Sequence, residues 1–134
     1  MSKKDSMWLD RCAFELSYCY RVCITEKDFH KELKRLKIAK SSWPSFIKTP
    51  QANATCHFFQ SASSELAAIV CISKKGCKDR PLDQILGLLV HEAMHIWREC
   101  REHVGETNPS CEFEAYAMQR IAQNLVASWL EQIK

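Results

Sequence analysis

Apolar residues recur every three or four positions in four stretches of this chain, the spacing that places them on one face of an α-helix. Thr25, followed by Asp28, has the position of an N-cap, and Pro81 suits the first turn of a helix. The predicted helices run from Met7 to about Val22, from Thr25 to about Ser41, from Pro81 to about His103 and from Ser110 to the C-terminus.

Two shorter runs have the composition of strands. Ala54 to Gln60 and Leu66 to Ser73 are rich in apolar and aromatic residues, and the polar turn SASSE joins them. This arrangement predicts an antiparallel β-hairpin. Lys74 to Pro81 is predicted to be a loop, because it contains Gly76 and charged residues. With no repeat, linker or low-complexity tract, residues 1–134 are predicted to form a single α+β domain.

The composition is that of an ordinary globular protein, with 46% hydrophobic and 26% charged residues. A formal net charge of +3 is too small to predict a nucleic-acid partner. The basic residues between Lys31 and Lys40 alternate with apolar ones, which is typical of the solvated face of an amphipathic helix.

No apolar run approaches the length of a membrane span, and the N-terminus lacks the apolar stretch of a signal peptide. We therefore expect a cytoplasmic protein with no membrane partner. The eight cysteines include no CxxC pair, so we expect mostly reduced thiols.

The feature that indicates a chemistry is His91-Glu92-Ala93-Met94-His95, an HExxH motif within the third predicted helix. Residues four apart lie on one face of a helix, so His91 and His95 are placed to bind one metal ion. Glu92 is then positioned to take a proton from a water activated by the metal. The alternative is a metal-free core helix whose histidines have ordinary hydrogen-bond partners.

Two histidines and a glutamate in this arrangement are typical of a zinc hydrolase. Such an enzyme needs a third protein ligand, and the candidates are Glu112 and Glu114 in SCEFEAYAMQ. They lie two residues apart and point to roughly opposite sides of a helix, so they cannot both bind one ion. Glu114 belongs to the apolar stripe that continues to Trp129, whereas Glu112 lies on a more polar side. We therefore favour Glu114 and keep Glu112 as the second candidate.

HExxH followed by a downstream helix that carries Glu resembles the gluzincin branch of zincin-like metallopeptidases. The eighteen residues between His95 and Glu114 match the spacing of aminopeptidases in that branch. The segments VHEAMHIW and EFEAYAMQ are similar to small zincin-like proteins encoded by phages and prophages. Phe113 and Met118 stand where thermolysin-like enzymes have Asn and Asp, and the aminopeptidases' substrate-anchoring motif is absent.

The resemblance implies a minimal zincin-like domain in which the HExxH helix packs on a C-terminal helix. It implies a zinc metallopeptidase that acts on a protein or peptide, with His91, His95 and Glu114 or Glu112 as zinc ligands and Glu92 as the general base. In zincins, a strand before the active-site helix binds extended peptide, and Leu66 to Ser73 is the candidate here.

Two questions stay open at the level of the sequence. The donor that stabilises the oxyanion is undetermined, with Tyr116, His57 and His103 as candidates. The short chain is also compatible with a zinc-stabilised, non-catalytic binding module, for example a phage-encoded inhibitor of a host protein.

Overall fold

The computed structural model describes residues 18–49, 52–61 and 63–134, and over these residues the fold is α+β, as predicted. It contains four α-helices, a three-stranded sheet and one turn of 3₁₀-helix at Lys40–Ser42. The elements in chain order are β1 (Tyr18–Cys23), α1 (Glu26–Arg35), β2 (Thr55–Gln60), β3 (Leu66–Cys71), α2 (Lys74–Lys78), α3 (Leu82–His103) and α4 (Cys111–Ile133).

The sheet is mixed, with the strand order β1-β3-β2. The predicted hairpin is confirmed, because β2 pairs antiparallel with β3 and places Thr55 opposite Cys71. On its other side β3 pairs parallel with β1, which places Tyr18 opposite Leu66. The prediction that Leu66 to Ser73 offers an edge to a substrate is therefore wrong, because β3 is the central strand and both its sides are paired.

The first predicted helix is wrong where it can be compared with the structure. Residues 18–23 form strand β1, and the rest of the predicted Met7–Val22 helix lies outside the described residues. All six side chains of β1 are buried. Tyr20 faces the cluster formed with α3 and α4, whereas Cys19 faces the cluster formed with α1. Apart from Arg21, β1 has no charged residue, and a short run buried on both faces lacks the alternation that would distinguish it from a buried helix.

Helix α1 covers one face of the sheet. Its predicted N-cap is confirmed, since Thr25 Oγ1 accepts a hydrogen bond of 3.2 Å from the Asp28 N–H. The helix ends at Arg35 instead of near Ser41, and Lys37 follows in a left-handed conformation with φ of 59°. Its inner side packs on the sheet through an apolar cluster that includes Phe29, Leu33 and Leu36.

Helices α3 and α4 pack against each other and cover the other face of the sheet. The long third helix is confirmed through His103, and Ser110 caps α4 by accepting a hydrogen bond from the Phe113 N–H. The predicted loop from Lys74 instead contains the short helix α2, whose Gly76 N–H donates to Ser73 Oγ. Among the described residues, no helix is both long and apolar enough to cross a membrane.

Candidate metal centre

His91 and His95 lie one turn apart on α3, as the motif predicts, and both side chains are exposed. Their Nε2 atoms are 3.3 Å apart. Two nitrogens bound to one zinc ion at about 2.0–2.1 Å and at a tetrahedral angle are separated by about 3.3–3.4 Å. The same separation also lets one neutral ring donate an N–H to the other. The pair therefore fits two positions of a tetrahedral ion without rearrangement of α3.

Glu92 lies beneath the pair and is only 5% exposed. Burial raises the pKa of the Glu92 carboxyl above its ordinary value, and the nearby charges of His95 and His91 act in the opposite direction. No hydrogen bond or ion pair within the described part of the chain engages this carboxylate. Its oxygens are not among the fully enclosed polar atoms of the described residues that lack a hydrogen bond, so the carboxylate opens onto the space beside the two imidazoles.

A cleft runs between α3 and the edge strand β2, and the three motif residues form one wall. Its central part, about 290 Å³, is lined by His91, Glu92 and His95 on one side and by β2 residues including Cys56 on the other. Burial raises the pKa of the Cys56 thiol well above its ordinary value, with smaller contributions from the charges of Glu92 and Glu99. The three motif residues therefore face a cleft whose other wall is β2.

The structure does not bring Glu114 to the histidine pair. Glu114 Oε2 accepts a hydrogen bond of 2.8 Å from Trp97 Nε1 and lies 3.4 Å from a guanidinium nitrogen of Arg101. Trp97 is about 200° around the helix from His95, so Glu114 contacts another side of α3. The apolar stripe predicts that Glu114 faces the core; in the structure Glu114 is partly exposed and contacts α3 on the side of Trp97 and Arg101.

The second candidate, Glu112, is exposed in the first turn of α4. Over residues 18–49, 52–61 and 63–134, no group of three or more His, Cys, Asp or Glu side chains could hold a metal ion. The structure thus provides two of the expected ligands side by side, and the third ligand stays a prediction.

The candidate oxyanion donors are not beside the pair either. Tyr116 is 55% exposed on α4 and does not line the cleft. His57 Nε2 donates to the Phe46 carbonyl at 3.0 Å, and its ring stacks on Phe29 on the α1 side of the sheet. His103 contacts Tyr18 edge to face at the far end of α3.

Three residues that line the cleft were not predicted from the sequence as site residues. Lys48 lines the central part together with both histidines, and Arg80 and Gly87 line its continuation towards the start of α3. The two cations come from loops, which have no periodicity that would reveal which surface they face. Gly87 lies four residues before His91, but a single helical glycine does not by itself predict a cleft.

Comparisons of the chain with protein-family models, with curated proteins and with solved structures found no match.

Proposed function

We propose that the chain is a zinc-dependent peptidase in which His91 and His95 bind the metal and Glu92 is the general base. The observation that carries this proposal is the placement of Glu92: a buried carboxylate without a hydrogen bond in the described fold, directly beside two converging imidazoles in an open cleft. A zinc ion bound there supplies a water of lowered pKa and a Lewis acid for the peptide carbonyl.

Glu92 then has two tasks, both at its carboxylate oxygens. It accepts a proton from the attacking water, and it returns that proton to the amine that leaves when the C–N bond breaks. Its burial beneath the histidines keeps the carboxylate next to the reacting atoms and limits its access to bulk water. Lys48, on the opposite wall, is a cation available to the oxygen that gains negative charge.

The peptide, in this proposal, lies extended between α3 and β2. Among the described residues, β2 is an edge strand of the sheet, and it borders the cleft. A further cavity of about 380 Å³ continues the groove between β2 and the loop that contains Pro44 and Lys48. Addition of a strand to a sheet edge is a common way to bind an extended peptide.

A catalytic zinc site needs a third protein ligand besides His91 and His95. Glu114 is the expected third ligand, but to reach the pair it would have to release Trp97 and Arg101. Loss of zinc from a Glu114→Ala variant would assign it that role, and retention of zinc would exclude it. The same measurement applies to Glu112→Ala.

Glu92→Gln tests the catalytic role. We expect peptide hydrolysis to fall by about 10²–10⁴-fold while zinc content and melting temperature are unchanged, because the amide keeps the shape but cannot accept the proton. The measurement is mass spectrometry of a mixed pool of peptides incubated with each protein. Glu102→Gln, the same change at an exposed position of α3, is the matched control.

Full hydrolysis by Glu92→Gln would contradict the peptidase proposal. If the unaltered protein binds zinc but cleaves nothing, the alternative of a zinc-stabilised binding module is the better account, since such a module has no use for Glu92.

A further inference from the structure

A second cavity opens beside the histidine pair, between the start of β2 and the first turns of α3. It measures about 500 Å³, within the range of pockets that bind small ligands. His91 and Glu92 line both this cavity and the central part of the cleft, so the two are continuous. A side chain of a peptide bound in the cleft can therefore enter this cavity beside the bond to be cleaved.

Gly87 keeps this cavity open. It lies one turn before His91 on the same face of α3, and no atom lies within 4 Å of the position that a Cβ would occupy. Glycine is unfavourable in the middle of a helix, and no close packing requires it here. A larger residue at position 87 would project into the cavity.

The walls of the cleft carry an excess of positive charge. Arg80 lines the cavity beside Gly87, and Lys48 lines the central part. The only carboxylate that lines the cleft, within the described residues, is that of Glu92. The Arg80 guanidinium donates to the side-chain oxygen of Asn53, and no carboxylate of the described residues forms an ion pair with it.

We propose that this cavity is a specificity pocket for an acidic side chain, Asp or Glu, of a peptide bound in the cleft. Arg80 binds the carboxylate, Asn53 orients the guanidinium, and Gly87 provides the space. A guanidinium with free donors matches a carboxylate in geometry as well as in charge. This inference rests on the proposed function for the placement of the peptide, and it adds the chemical class of the substrate.

The test is the binding of matched peptides of about ten residues, long enough to extend along a strand. In each pair a single Glu, or Gln at the same position, is moved along an uncharged polar sequence, and binding is measured by fluorescence anisotropy. Glu92→Gln protein is used so that the peptides are not consumed. We expect at least one Glu peptide to bind about tenfold more tightly than its Gln counterpart.

Two substitutions in the Glu92→Gln protein locate the pocket. Arg80→Gln should reduce the preference for Glu to less than about twofold, whereas Lys78→Gln, an equal change of charge at an exposed position outside the cleft, should keep it. Gly87→Leu should weaken the Glu and Gln peptides alike, by about tenfold, without lowering the melting temperature.

Equal affinity for Glu and Gln peptides, no measurable binding of either, or a preference that survives Arg80→Gln would overturn the inference. Hydrolysis by the unaltered protein, measured on the same peptides, distinguishes this failure from failure of the proposed function. Cleavage without a preference for Glu leaves the peptidase proposal standing, and preferential binding without cleavage supports the pocket alone.

Discussion

Two carboxylates are buried among the described residues, and their surroundings differ. Glu32 on α1 is 1% exposed and binds the equally buried Arg21 of β1 at 2.7 Å, with Arg35 at 2.9 Å on its other oxygen. Glu92 is almost as buried but has no such partner in the described fold. The Glu32 carboxylate is thus held by two ion pairs within the fold, whereas the Glu92 carboxylate lines the cleft and can contact a group bound there.

Glu32→Ala should therefore lower the free energy of unfolding by about 3–5 kcal/mol, because it breaks the buried ion pair between Glu32 and the Arg21 guanidinium. Urea denaturation measures this change. Glu26→Ala is the matched control on the same helix, since Glu26 is 67% exposed and its contact with His30 is long, at 3.6 Å. A loss at Glu32 no greater than that at Glu26 would mean that the buried pair does not stabilise the fold.

The sequence was sufficient to predict how His91, Glu92 and His95 lie relative to one another, because that depends only on helical spacing. It was not sufficient for the third ligand. The apolar stripe on α4 predicts that Glu114 lies on the side of α4 that faces the core. Which residue Glu114 contacts depends on how α4 packs against α3. In the structure that neighbour is Trp97.

Among the helices and strands, the prediction differs most from the structure at β1, where a helix was predicted and a strand is found. The residues from Tyr18 to Cys23 include aromatic and β-branched side chains, which favour strands. Their continuous burial removes the alternation that would have identified a strand. The β2–β3 hairpin was predictable because it is local, whereas the parallel pairing of β1 with β3 joins residues that are far apart in the sequence.

Helix α4 covers part of the outer edge of β1. The Val22 N–H donates to Ser128 Oγ at 3.1 Å, and the Val22 carbonyl accepts a hydrogen bond from the Gln132 side chain. An unpaired strand edge invites association with other chains, and such cover prevents it. Within the described residues, β2 is the edge strand that borders the cleft, and it is the edge to which the proposed peptide would bind.

Ser128→Ala tests this contact. We expect a loss of about 1–3 kcal/mol in the free energy of unfolding, because the buried Val22 N–H loses its acceptor while the size of the side chain changes little. Ser42→Ala, at an exposed position of the 3₁₀ turn, provides the baseline for removal of a serine hydroxyl. Equal stability of the two variants would show that the hydroxyl of Ser128 does not stabilise β1.

In the whole molecule, the proposed function depends on a cleft formed by segments that are far apart in the sequence. α3 contributes the histidines and Glu92, β2 contributes the opposite wall, and loops contribute Lys48 and Arg80. The α+β class followed from the pattern of elements, but the charge of the cleft depends on loop positions that only the folded chain defines. Substrate preference is therefore the property that the sequence predicted least.

The zinc content of the protein, purified without a metal-affinity tag or a chelator, tests the proposed metal site. We expect about one zinc per chain. His91→Ala and His95→Ala should each abolish it, whereas His103→Ala, a histidine farther along the same helix, should not. Absence of zinc from the unaltered protein, with none taken up when zinc is added, would contradict the account and leave the motif as part of a metal-free core helix.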